Sequence, residues 1–253
     1  MKNFITLMLI IFASGLIAKN SINNIGTAAT MPANRWELGL FSPLKYGLNS
    51  NTELSSYHIP NFFIPNIAIK HHWGDHRKYS FSSKHSFSYP TPLLNLIARE
   101  GAGGLLPDNS IIPNIITFNN EFILNYRFSQ KLTLIKFAGY SFAYINGKSD
   151  FPTLDYPLLY NHSCIFQGSG SLKFGTAIDF HLYDNLRVFL CYDNYFLAAK
   201  YSKYYMEASG KVIWNFNDKY SLIAGAKMVY ADYPSAKQQN YNIFPILDFK
   251  INF

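Results

Sequence analysis

Charge is scarce in this chain. Of its 253 residues only 15% are Asp, Glu, Lys or Arg, against 17% aromatic and 49% hydrophobic. A disordered chain would show the reverse balance and is excluded. Past the N-terminus no apolar run reaches the roughly 18 residues a membrane helix needs, which excludes a helical membrane bundle. Ala, Glu, Lys and Leu at heptad spacing are missing as well, so a long coiled coil is excluded. Cysteine is nearly absent: Cys164 and Cys191 are the whole inventory, with no Cys-x-x-Cys and hence no redox or zinc-ribbon motif. Cys191 falls inside a strand-like run and Cys164 outside one, and both are expected to be free thiols. What is plentiful is aromatic side chain, 19 Tyr and 22 Phe at a mean hydropathy of −0.02. A β-rich protein remains.

The first residues read as an export signal. Lys2 supplies the positive start, residues 4–12 the apolar stretch, and Ala13, Ser14, Gly15 and Ala18 the small residues of a cleavage region. Cleavage is expected after Ala18, giving a signal at 1–18 and one domain at 19–253. Leu16 at the −3 position is larger than usual. No Cys follows the apolar run, so a lipid anchor is not expected. A retained membrane anchor is the alternative, for which the run is short.

The C-terminal half alternates apolar and polar residues with period two. In 171–183, Leu172, Phe174, Thr176, Ile178, Phe180 and Leu182 share one face, and Lys173, Asp179 and His181 the other. The same reading puts Leu186, Val188, Leu190 and Tyr192 opposite Arg187 and Asp193. It sets Val212 and Trp214 opposite Glu207 and Lys211, and Leu222 and Met228 opposite Lys227. Each segment has the about 9–11 residues of a tilted membrane strand. Short turns at 183–185 and 217–219 alternate with longer Tyr- and Lys-rich connections at 199–205 and 232–240. That asymmetry fits short periplasmic turns and long external loops.

The last segment places Tyr241, Ile243, Pro245, Leu247, Phe249, Ile251 and Phe253 on one apolar face, with Asn242, Asp248, Lys250 and Asn252 opposite and Phe244 and Ile246 as apolar exceptions. A terminal Phe with apolar residues at every second position before it resembles the C-terminal signal of bacterial outer-membrane β-barrel proteins. The resemblance covers the final strand, with Leu247, Phe249, Ile251 and Phe253 as the assembly signal. It implies an antiparallel up-and-down transmembrane barrel in the outer membrane, recognised by the barrel-assembly machinery. A secreted soluble β-sandwich also alternates, and is the competing fold.

The N-terminal half is less regular. Trp36, Leu38 and Leu40 alternate until Pro43; 54–59 reads as a strand ending at Pro60, 67–73 as another, and 79–89 alternates clearly. Residues 119–128 and 131–145 form a hairpin around Ser129 and Gln130. The expectation is therefore all-β, with 10 to 12 strands and one loop insertion. In that insertion Thr91 is expected to cap a short helix with Pro92 at its first position, Leu93, Leu94, Leu96 and Ile97 on its apolar side, and Gly101 as its stop. Such a segment either plugs or caps the barrel, lies on the membrane surface, or is an ordinary structured external loop.

In lipid, Arg or Lys on the outer face costs about 2–4 kcal/mol near the midplane. Lys173, Asp179, His181, Arg187, Asp193, Glu207, Lys211, Lys227, Asp248 and Lys250 are therefore expected to face the lumen as an ion-pair network. A selective pore is the sharper alternative. Outer-membrane barrels also include lipid hydrolases resembling phospholipase A and lipid A deacylase, whose chemistry needs a His and a Ser on one strand face. The forward His-x-Ser spacing is missing. Ser56 with His58, and Ser83 with His85, share a face in reverse order, with Glu53 or Glu121 as the conceivable acid partner. His71, His72, Asp75 and His76 form the densest ligand cluster and read as a solvated strand end rather than a metal site. The glycines at 101, 103 and 104 lack a following Gly-Lys-Ser/Thr, so no phosphate loop and no cofactor is expected. The net charge of +7 points to anionic lipid and lipopolysaccharide as surroundings, and its dispersal argues against nucleic acid. The function expected is a non-enzymatic barrel, narrow or filled by side chains, giving passive passage, ligand uptake or a structural role. A lipid hydrolase is the alternative.

Overall fold

The computed structural model describes residues 26–99, 110–149, 170–197, 204–231 and 241–253. The expected signal at 1–18, the expected helix stop Gly101, and Cys164 lie outside them. Among the described residues there are twelve strands: β1 (Trp36–Gly39), β2 (Leu44–Asn49), β3 (Thr52–Ser56), β4 (Asn66–His76), β5 (Tyr79–Ser88), β6 (Asn114–Arg127), β7 (Leu132–Asn146), β8 (Gly170–Tyr183), β9 (Leu186–Leu197), β10 (Tyr204–Asn215), β11 (Tyr220–Ala231) and β12 (Tyr241–Asn252). Each pairs antiparallel with its sequence neighbours, and β12 pairs with β1, so the sheet closes on itself. Closure leaves no unpaired edge. At the seam the Trp36 and Phe253 backbones exchange hydrogen bonds of 3.2 and 2.9 Å.

The count resolves at twelve because β2 is a strand, one that Pro43 and Gly47 hide from a reading of alternation. Connections at one end, the end of Trp36 and Phe253, are tight. Ser129 Oγ accepts hydrogen bonds from the amides of Lys131 and Leu132, and Asn217 Oδ1 from those of Lys219 and Tyr220. The opposite end carries the longer connections. The wall is uneven in height: β1 has 4 residues and β7 has 15.

Alternation places large apolar groups on the outer wall. Leu190 is 49% exposed there, while its neighbour Phe189, turned inward, is 3% exposed. Phe174, Val212, Leu247 and Phe249 share the outer wall, as does Ile251, which pairs with Leu38. Inside, Ile123, Ile135, Phe137, Ala177, Phe189, Ile213 and Ile223 pack into an apolar layer nearer the terminal end. Ile246, an apparent exception in the polar face of the last strand, packs against this layer.

The helix of the insertion, α1 (Thr91–Ile97), forms without the expected cap. Pro90 holds the cap position, with no side-chain cap hydrogen bond. Thr91 lies within the helix, where its Oγ1 donates to Pro113 O and accepts from the Ile115 amide. The hydroxyl thus ties the helix to the start of β6, a contact that reading the helix alone does not contain. Leu94 and Ile97 are buried against Ile64, Ile115 and Ala143, with Leu93 partly buried beside them. Leu96 points away and is exposed, because it falls outside that stripe. Since Ile115 and Ala143 face inward, α1 covers part of the loop-end mouth.

Candidate functional site in the lumen

The lumen is layered. Near the terminal end, Arg187 grips Asp179 with two bonds, Nη2 to Oδ2 at 2.5 Å and Nε to Oδ1 at 3.1 Å, both residues being buried. His181 Nε2 lies 3.9 Å from the same carboxylate. At the seam, Glu37 Oε1 receives Lys45 Nζ at 2.9 Å and Lys250 Nζ at 2.8 Å. Asp248 turns to the 40–43 connection, accepting from the amides of Phe41 and Ser42 at 2.8 and 3.0 Å. These pairs bring opposite charges together where water is scarce, so each ion depends on its partner.

The segment preceding β1 crosses the lumen at this end. Pro32 O sits so close over Gly47 that a Cβ there would collide with it, which is why the position takes glycine. The Met31 amide donates to Glu53 Oε2 at 2.9 Å, the Ala28 amide to Asn125 Oδ1 at 3.0 Å, and Lys70 Nζ to Ala29 O. Thr30 Oγ1 donates to Ser50 O at 3.1 Å. Ala28 is fully buried in the apolar layer and Gly26 lies against the Phe189 ring. The segment thus runs from the β2–β4 wall to the β9 wall across the terminal end.

Beside and above this segment the lumen is polar and hollow. Lys173 Nζ reaches Glu121 Oε2 at 2.6 Å and Asp193 Oδ2 at 3.4 Å, between the rings of Phe137 and Tyr195. Lys227 pairs with Glu207 at 2.9 Å, and Lys211 lies over the Phe189 ring. Lobes of about 150, 430 and 580 Å³ open here, and Lys84 lines all three. The largest runs between Phe41, Tyr57, Ile246 and the lysines 45, 211 and 250. These volumes suit solutes of a few to tens of heavy atoms.

All ten charges anticipated for the lumen thus occupy inward positions, and nine of them have partners named above among carboxylates, lysines, arginine or backbone amides. The reading of the sequence did not place Glu37, Lys45, Glu53, Lys70, Lys84 and Glu121 in the lumen: β1 to β3 are short, and consecutive polar residues at 70–72, 82–86 and 119–121 leave the inward face unmarked. Of the dense histidine cluster, His72 Nε2 lies 3.6 Å from Asp75 Oδ1, whereas His71 Nδ1 pairs with Thr52 Oγ1 on the outer wall. The two are split by the pleat. Glu53 and Glu121, weighed as acid partners for Ser83 and His85, face the lumen, on the other side of the wall from them. Cys191 is a free thiol 3.6 Å from Asp193.

No protein-family model matches the sequence, and no curated protein matches it. Among solved structures, the chain is similar to the outer-membrane-expressed OmpT of Vibrio cholerae, at 7% identity and a TM-score of 0.47 over 83% of this chain and 64% of that one. It spans less than two thirds of that protein's length. It is also similar to the outer-membrane channel DcaP of Acinetobacter baumannii, at 13% identity and a TM-score of 0.42, covering 93% and 67% of the two chains. A Pseudomonas aeruginosa FadL homologue follows at 9% identity and a TM-score of 0.43, covering 87% and 68%.

Proposed function

We propose that this chain, after removal of residues 1–18, is a bacterial outer-membrane barrel whose loop-side vestibule takes up small polar or anionic solutes, with its terminal end closed at rest. A closed sheet with an apolar outer wall and inward charges suits lipid, where every backbone group needs an internal partner. The last-strand face of Leu247, Phe249, Ile251 and Phe253 serves in this reading as the signal for the barrel-assembly machinery, with lipid and lipopolysaccharide as the surroundings.

The observation that carries the closed state is the 26–34 segment laid across the lumen and hydrogen-bonded to Glu53, Lys70 and Asn125. Passage through the barrel requires this segment to leave, whereas binding in the vestibule does not. The lysines at 84 and 211 give the hollow its preference for anions.

Planar-bilayer recording tests it. The full chain should give no steady conductance, and a variant lacking residues 27–33 should give discrete steps with anion preference. A full chain that conducts as an open pore would contradict the reading, as would a silent deletion variant that folds.

A further inference from the structure

The outer wall carries a line of polar groups where an apolar surface is expected. Ser83 and His85 lie two residues apart on β5 and so point the same way, out of the barrel. Asn120 on β6 stands directly opposite His85 in the register, and Phe122 opposite Ser83. The three polar side chains form a chain of hydrogen bonds: His85 Nε2 to Ser83 Oγ at 3.2 Å, and His85 Nδ1 to Asn120 Oδ1 at 2.8 Å. Asn120 Nδ2 faces the Tyr140 carbonyl at 3.5 Å, which turns Oδ1 toward the imidazole. An amide oxygen only accepts, so Nδ1 carries the proton and Nε2 presents its lone pair to the Ser83 hydroxyl. This is a nucleophile held by a base, and a base held by a third group.

The surroundings are arranged about the same point. Between His72 and Gly74 the β4–β5 register shifts, so Trp73 is an extra residue on β4. That bulge aims the Trp73 indole N–H at Ser83 Oγ, 3.0 Å away. Gly74, at φ 142, leaves open space above the wall. Trp73, bonded to the hydroxyl, and Phe122, opposite Ser83 in the register, are 65% and 46% exposed and shield Ser83, itself 8% exposed, from the side. A membrane lipid would lie against them with its acyl chain. Polar groups set on a lipid-facing wall are costly, and their clustering in one hydrogen-bonded line marks a functional site.

We propose that Ser83, His85 and Asn120 are a lipid-facing acyl-ester hydrolase site, independent of the vestibule. Ser83 Oγ attacks the carbonyl carbon of an O-acyl ester, and its proton passes to His85 Nε2. The Trp73 indole N–H, hydrogen-bonded to Ser83 Oγ at rest, shifts to the oxyanion as Oγ forms its bond to the carbonyl carbon. The C–O bond of the ester breaks, and His85 returns the proton to the departing alcohol. Water, deprotonated by His85, then attacks the acyl-serine, releasing a fatty acid and regenerating the Ser83 hydroxyl. Ser83 and His85 are the catalytic residues. Asn120 positions His85 and fixes its tautomer. The forward order His-x-Ser is unnecessary, because residues two apart on a strand share a face in either order. The orienting group is an amide on the next strand, and the carboxylates of Glu53 and Glu121 take no part.

The test uses the full-length folded chain, with heat-modifiable migration as the folding check. Mixed micelles of phosphatidylethanolamine and, separately, lipid A are the substrates, and a fluorophosphonate is the serine probe. Fatty acid should be released from at least one substrate, and which one identifies the lipid that carries the ester. Ser83→Ala and His85→Ala should each lower release about 100-fold or more, and Ser83→Ala should abolish labelling. Asn120→Ala should lower kcat with KM unchanged, a split that a merely structural role would not produce. Ser86→Ala, a change on the lumen side of the same strand, should leave release unaltered. Folded wild-type chain that releases no fatty acid from either lipid would overturn the proposal, and so would undiminished labelling or release by folded Ser83→Ala.

Discussion

Lys250 and Glu37 stand 213 positions apart in the chain and meet at 2.8 Å across the seam where β12 closes on β1. Lys45 shares the same carboxylate oxygen at 2.9 Å. One buried anion therefore holds two buried cations at the one junction of the barrel whose strands are not sequence neighbours.

Removing that anion leaves both lysines uncompensated. Glu37→Gln should destabilise the folded barrel by about 3–5 kcal/mol, the cost of breaking a buried ion pair. Lys45→Met should cost less, because Glu37 keeps Lys250. Urea unfolding of the two variants, followed by tryptophan fluorescence in detergent, reads the difference. Equal midpoints would show that the seam does not depend on this carboxylate.

The seal depends on a missing side chain. In Gly47→Leu the new Cβ would collide with Pro32 O and displace the 26–34 segment. With both native cysteines replaced by Ser, a cysteine placed at Ala28 should react slowly with a water-soluble maleimide. Adding Gly47→Leu should make that reaction much faster. Unchanged labelling would show that the segment tolerates the side chain.

The outer wall should reject charge in a depth-dependent way. Phe174→Arg, on the exposed face of β8, should cost about 2–4 kcal/mol, whereas Tyr183→Arg at the terminal rim should cost about 0–1 kcal/mol. Reversible unfolding in lipid vesicles checks the ordering, and equal costs would contradict a bilayer around this wall.

Legibility in the sequence follows how often an uninterrupted apolar–polar repeat recurs within a strand. In β8 through β12 each strand is 12 or more residues, so period two repeats often enough to place Lys173, Asp179 and Arg187 inward without a structure. β2, with 6 residues, a preceding Pro43 and Gly47 at an inward position, shows too little alternation to be seen. The crossing of the lumen by residues 26–34 has no period at all, being set by Pro32 over Gly47 and by side chains of Glu53, Lys70 and Asn125. The pairing of His85 with Asn120 depends on the register between β5 and β6, across the 89–113 connection, which no local pattern specifies. The reversed Ser-x-His order was visible, while its partner was not.

If alternate residues face lipid and lumen, adjacent positions on one strand must differ sharply in their access to acyl chains. In a background with Trp36, Trp73 and Trp214 replaced by Phe, single tryptophans are placed at Leu190, on the outer wall, and at Phe189, in the lumen. Both variants are reconstituted in phospholipid brominated near the middle of its acyl chains. Strong quenching is expected for Leu190→Trp and little for Phe189→Trp. Equal quenching at the two positions, or the reverse order, would contradict that assignment of faces.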